Sequence, residues 1–122
     1  MTETRPSVVI VLARCTPNRE IFGIRFEERS AGLWLGDWAF VIKETTAHRE
    51  GYDRGVVTGS FGLDTGPYPG CPHCGGKGFY QCSCGKIACW DGRARTVVCP
   101  WCGNTINLTS GPITNLRASI DR

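Results

Sequence analysis

Between Val8 and Lys43 the chain alternates three runs of β-branched and aromatic residues with short polar turns. The runs are Val8–Arg14, Glu20–Glu27 and Leu33–Lys43. Residues of this kind fit a pleated, half-buried surface. Thr16-Pro17-Asn18 and Ser30-Ala31-Gly32 supply the turns between them. The pattern predicts an antiparallel meander with an aromatic core around Phe26, Trp34, Trp38 and Phe40. Residues 44–54 offer one short helical turn, which Gly51 limits.

Beyond that point the punctuation changes. Residues 55–70 hold Gly55, Gly59, Gly62, Gly66 and Gly70 with Pro67 and Pro69, and read as one short strand followed by a loop. Phe79–Cys82, Ile87–Trp90 and Thr96–Cys99 read as three short alternating strands, with Asp91-Gly92 as a hairpin signal. Ile106-Asn107-Leu108 adds a last strand, and Pro112 onward reads as a tail. The expected organisation is a meander over residues 1–66, a cysteine-rich region over 67–104, and a last strand with tail over 105–122, folded as one compact unit.

Composition narrows the class. A chain of 122 residues supports one domain or a small β domain with a stapled appendage. The net charge of +3 is below what a basic nucleic-acid stripe usually brings. Residues 1–6 lack a basic stretch feeding a long apolar run, and Val8–Ala13 is too short for a membrane span. The expected location is the cytoplasm, where thiols stay reduced and paired cysteines read as metal sites rather than disulfides.

The chemistry lies in the thiols. Seven of the eight cysteines fall between Cys71 and Cys102, as Cys71-Pro72-His73-Cys74, Cys82-Ser83-Cys84, Cys89 and Cys99-Pro100-Trp101-Cys102. A Cys-x-x-Cys-Gly turn tightens around one metal ion, and the glycine removes a Cβ clash. Residues 67–104 bury too little apolar surface to fold without a staple. Two ligand schemes fit. One joins Cys71, Cys74, Cys99 and Cys102 around a single ion, leaving Cys82, Cys84 and Cys89 unused. The other follows the strands, joining Cys82, Cys84, Cys99 and Cys102 at one end. It leaves Cys71, Cys74 and Cys89 at the other end, short of a fourth ligand that His73, His48 or Cys15 would supply, unless a thiolate bridges two metals or water completes the shell. Two Zn²⁺ ions are favoured over one, because one tetrahedral site uses only four of the clustered thiols. An iron–sulfur cluster is the minor alternative.

Other candidates carry competing structural readings. His73 reads as a knuckle residue turned to solvent, His48 as a solvated surface residue, and Cys15 as a buried thiol at a strand end. Trp90 and Trp101 read first as a cover for the metal hairpin. Arg93, Arg95, Lys77 and Lys86 read as a solvated basic face rather than a phosphate site.

The segments Tyr68–Gly75, Cys82–Gly92 and Val98–Gly103 together resemble the TerY-C metal-binding domain. The resemblance is clearest over residues 67–104 and extends upstream to Arg14-Cys15 and Trp38-Ala39-Phe40. It implies a module holding a pair of metal ions, with Cys71, Cys74, Cys82, Cys84, Cys89, Cys99 and Cys102 as ligands. Such modules are associated with von Willebrand factor A proteins in bacterial tellurite-resistance and phosphorylation systems. This sequence carries no von Willebrand factor A domain, so functions of that domain are not implied.

Taken together, the sequence predicts an all-β protein: a small antiparallel sheet or barrel-like meander followed by a zinc-ribbon-like hairpin region. The expected function is a non-enzymatic zinc-binding module that serves as a protein-interaction or regulatory adaptor, because no nucleophile–base arrangement is signalled. A zinc ribbon that binds nucleic acid is the first alternative, and a thiol redox or metal-delivery protein the second. The last is disfavoured because redox Cys-x-x-Cys pairs usually open a helix.

Overall fold

A computed structural model describes residues 8–43, 55–108 and 113–121, with side chains described from residue 59 in the second segment and not in the third. The short helical turn expected over 44–54 lies outside the described residues. Among the described residues there are nine strands and no helix. They are β1 (Val8–Arg14), β2 (Ile21–Ser30), β3 (Leu33–Val41), β4 (Gly55–Leu63), β5 (Gly78–Gln81), β6 (Ile87–Trp90), β7 (Thr96–Val98), β8 (Thr105–Asn107) and β9 (Ile113–Asp121). The all-β expectation holds.

The first three strands form the expected antiparallel meander, with Val11 opposite Ile24 and Ile24 opposite Ala39. Strand β4 is longer than the short strand expected, and it lies parallel to β3, with Trp34 opposite Phe61. Strand β9 then runs antiparallel to both β4 and β1, closing the sheet into a nearly complete barrel. The tail expected from Pro112 onward is therefore a strand. Its sequence alternates with period two at Leu116, Ala118 and Ile120, the signal of a half-buried strand.

One edge of β1 is divided between two partners. Val8–Ile10 pair with β9, while Ala13 and Arg14 pair in parallel with Ile87 and Ala88 of β6. Strand β5 then adds to β6. The cysteine-rich region is thus hydrogen-bonded directly to the first strand of the chain.

The barrel core follows from alternation. Val9, Val11 and Ala13 of β1 and Phe22, Ile24 and Phe26 of β2 are all buried. Phe26 meets Phe61 and Phe79 edge-on, and Trp34 stacks on Phe61. Offset and edge-to-face arrangements like these suit the aromatic quadrupole. Gly36 lets the wall come close to this cluster: a Cβ there would lie 2.9 Å from Leu63 Cδ2 and 3.1 Å from Phe26 Cε1.

The β7 strand departs from expectation. It does not continue a three-stranded sheet beside β6; it pairs with β8 in a separate hairpin. The Asp91 carboxylate accepts from the amides of Arg93 and Ala94, a local turn that redirects the chain. Val97 of this hairpin then packs on Tyr80 and Ala88, with Trp90, Ile106 and Leu108 at the margin. The hairpin thereby gains a second, smaller core.

Candidate metal centres

Four local turns carry cysteines, and three of them share one hydrogen-bond pattern. At Cys71 the Gly75 amide donates to the Cys71 carbonyl at 2.7 Å, and the Cys71 amide donates to the Gly76 carbonyl at 2.8 Å. At Cys99 the same two bonds run from Gly103 to Cys99 and from Cys99 to Asn104, at 2.8 and 2.9 Å. At Cys15 they run from Arg19 to Cys15 and from Cys15 to Glu20, at 2.7 and 2.8 Å. The fifth residue of each turn is left-handed: Gly75 (φ 80°), Gly103 (φ 79°) and Arg19 (φ 63°). Glycine is at ease there, while an arginine is strained. The Cys82 turn is one residue tighter, with Gly85 (φ 90°) donating to the Cys82 carbonyl.

The turns converge as two groups of four thiols. Cys82, Cys84, Cys99 and Cys102 form one, and Cys15, Cys71, Cys74 and Cys89 the other; within each group all sulfurs lie within 4.8 Å of one another. Individual separations are 3.6 Å for Cys82–Cys102, 4.0 Å for Cys84–Cys99 and 3.5 Å for Cys74–Cys89. A tetrahedral ion with metal–sulfur distances of roughly 2.3 Å has sulfur–sulfur edges of roughly 3.8 Å. Both groups fit that tetrahedron, and all eight cysteines are unbridged thiols.

All seven cysteines that the sequence marks as ligands fall in these two groups, in the pairing that follows the strands. The scheme joining Cys71 and Cys74 to Cys99 and Cys102 is not the observed grouping. The missing fourth member of the first group is Cys15, which is fully buried at the end of β1. The expectation of a merely buried strand-end thiol is thus corrected: Cys15 is buried because its turn docks on the other three. The Thr16 amide donates to Cys89 Sγ at 3.2 Å, and the Thr16 hydroxyl donates to the Cys89 carbonyl at 2.6 Å. A strand ending in cysteine and a proline-containing turn, Cys15-Thr16-Pro17-Asn18, was the signal that could have found it.

The other candidates lie elsewhere. His73 is not turned to solvent: its Nε2 lies 2.9 Å from the Ile21 carbonyl, and its ring meets Phe22 edge-on. It belongs to neither group. His48 lies outside the described residues. Trp101 donates its indole N–H to the Ile87 carbonyl at 2.7 Å, and the Arg14 guanidinium and the Lys86 ammonium each lie over its ring. Trp90 donates to the Ala94 carbonyl. Arg93 and Arg95 are exposed.

Electrostatics within each group are those of crowded thiols. Burial pushes Cys89 up to about 11, reinforced by Cys74 and by the charges of Cys71 and Cys74. Burial also raises Cys15, with Cys74, Cys89 and Cys71 adding to the shift. In the other group burial carries Cys84 to about 12 and raises Cys99. Burial would raise Cys82 too, but the Cys84 amide and the neighbouring thiols outweigh it and hold it at about 7. One thiolate can form readily in such a group, and its negative charge opposes the next. A central cation reverses that repulsion, which is why thiolate clusters of this geometry suit a metal.

No curated protein and no solved structure matches the chain. Residues 63–121, the segment that holds every cysteine except Cys15, match the family model of the TerY-C metal binding domain, the family that the cysteine motifs resemble.

Proposed function

We propose that the protein is a zinc-stabilised, non-enzymatic module that presents a protein-interaction surface. The observation that carries this reading is the closure of both centres. Each group supplies four thiols within 4.8 Å, enough to fill a tetrahedral shell and leave no position for a substrate. All-thiolate tetrahedral sites select zinc among the common divalent ions, with iron as the competitor. Binding energy at such a site is folding energy, on the order of 10–16 kcal/mol in zinc-finger peptides. The metals therefore serve architecture rather than turnover, in the reducing cytoplasm that free thiols favour.

What the architecture presents is an adaptor surface. Strand β3 exposes Trp38 at 53% and Val41 at 63%, large apolar groups on a rigid wall. Trp101, by contrast, carries the Arg14 and Lys86 cations over its ring, which weakens the idea of a stacking platform for nucleic acid there. The family resemblance points to bacterial stress and phosphorylation systems built with von Willebrand factor A proteins.

Native mass spectrometry with elemental analysis tests the metal reading, and two zinc ions per chain is the expected result. One ion, or iron with acid-labile sulfide, would overturn it. For the adaptor reading, the metal-loaded chain should bind a von Willebrand factor A protein of the same genome. Trp38→Ser should weaken that binding without loss of zinc; binding that ignores both Trp38 and metal would sink the idea.

A further inference from the structure

The geometry points to coupled loading of the two centres: occupation of the Cys82–Cys102 centre raises the metal affinity of the Cys15–Cys89 centre. The inference rests on the metal reading above and adds a regulation to it.

The two centres share strand β6. Its first residue, Ile87, gives its carbonyl to the Trp101 indole, and Trp101 lies inside the knuckle formed by Cys99 and Cys102. Its third residue, Cys89, belongs to the other centre. Opposite β6, Ala13 and Arg14 of β1 pair with Ile87 and Ala88, and the residue after Arg14 is Cys15. The Arg14 guanidinium lies 4.4 Å from the centre of the Trp101 ring. One indole of the second centre thus grips both strands that deliver ligands to the first.

The β1–β6 pairing is short, and that grip adds to it. Only two residue pairs join the strands, and Thr16 adds its two bonds to Cys89. The second centre draws all its ligands from residues 82–102 and can assemble locally, whereas the first requires β1 to be docked. When the second centre closes, the Cys99–Cys102 turn is fixed and Trp101 with it. Docking of β1 is then favoured before the first centre binds its ion. A four-thiolate zinc centre also carries a net charge of about −2. Two cations, Arg14 and Lys86, held against Trp101 answer that charge, and one of them is on β1.

Coupling of this kind is reciprocal and typically amounts to roughly 5- to 150-fold in affinity. The test is titration of the full chain with Co²⁺, followed by thiolate charge-transfer absorption, and competition with Zn²⁺. Cys84→Ser with Cys102→Ser removes the exposed thiols of the second centre and keeps the buried Cys82 and Cys99. First-centre affinity should then fall within that range. Cys15→Ser with Cys74→Ser should lower second-centre affinity by the same factor. In the otherwise native chain, Trp101→Leu should still bind two ions but weaken the first centre selectively. Trp101→Phe, which keeps a ring under Arg14 and loses the hydrogen bond, should fall between.

Unchanged first-centre affinity after loss of the second centre would overturn the coupling while leaving the metal reading intact. If the double-serine chain does not fold, identical titrations of the native and Trp101→Leu chains would overturn it equally. Failure of the native chain to bind either ion would overturn the metal reading and the coupling with it.

Discussion

Cys15 and Cys71 make the same backbone turn, although only Cys71 belongs to a complete knuckle. In each turn the cysteine carbonyl accepts from the residue four positions on, and the cysteine amide donates to the carbonyl five positions on. At Cys71 the fourth and fifth members of the turn are Cys74 and Gly75; at Cys15 they are Asn18 and Arg19. The first centre therefore combines a whole knuckle, a knuckle with one thiol, and Cys89 from a strand. Asn18 uses its side-chain amide on the His73 carbonyl, at 3.3 Å, joining the two turns.

The left-handed Arg19 yields the first prediction. Arg19→Gly removes a strain of roughly 1–2 kcal/mol for a non-glycine residue in this region. It adds back roughly 0.5–1 kcal/mol of unfolded-state entropy. The net expectation is a gain of up to about 1.5 kcal/mol, seen as a higher melting temperature of the metal-loaded chain. Arg19→Val, β-branched at the same φ of 63°, should lower it. Equal stability of the two variants would count against the turn as described.

A second prediction concerns stoichiometry. Cys15→Ser should reduce metal content from two ions to one, because a hydroxyl is a poor replacement for a thiolate in an all-sulfur shell. The remaining ion should be held by Cys82, Cys84, Cys99 and Cys102. Elemental analysis alongside native mass measurement reads this directly. Retention of both ions would remove Cys15 from the ligand set.

Acid should strip both centres, and the sign follows from the thiols. In the metal-free fold Cys89 sits at about 11 and Cys15 is raised as well, chiefly by burial. A bound cation depresses those values, so the metal's contribution is complete above the metal-free pKa and is lost as pH falls through the metal-bound one. At neutral pH the first centre is already below the metal-free pKa of both groups. Its apparent affinity should fall about tenfold per pH unit for each proton displaced. A chromophoric chelator, followed as pH is lowered, should show release steepening toward acid; release that is flat in pH would contradict thiol ligation.

The two tryptophans of β3 should behave oppositely. Trp34 is 6% exposed and stacked on Phe61, so Trp34→Ala should cost about 3–5 kcal/mol. Trp38 is 53% exposed, and Trp38→Ala should stay within about 0.5 kcal/mol. Chemical denaturation of the metal-loaded variants distinguishes them. Similar losses for both would mean that the outer wall of β3 is covered.

Legibility in the sequence followed locality. Strands β1 to β3 were readable because each is a single apolar run between turn residues, and β6 because Ile87–Trp90 is a short branched and aromatic run. The knuckles at Cys71 and Cys99 were readable because each closes within five or six residues. The grouping of Cys82 and Cys84 with Cys99 and Cys102 also followed from the strand directions. Cys15 was legible only as one of three candidates for the fourth ligand, beside His73 and His48, since its place depends on a two-pair contact between β1 and β6. The same holds for β7: Asp91-Gly92 does begin a turn, but β1 and β5 occupy both edges of β6, and Val97 packs on Tyr80 and Ala88 instead of adding a strand. The alternation in β9 was present, yet its partners, β4 and β1, lie far away in sequence.

Strand β9 also sets a timetable for synthesis. The barrel wall between β4 and β1 is filled by a segment that leaves the ribosome after every other described strand. Until Ile113–Asp121 emerge, the edges of β1 and β4 that pair with it in the finished barrel lack that partner. Long-range pairing of this sort closes slowly, and open strand edges in nascent chains invite pairing with other chains. The cysteine turns at Cys71, Cys82 and Cys99 emerge earlier and need only nearby residues to form. A nascent chain can therefore begin capturing metal while its barrel is still open, with the staple in place before the wall it supports.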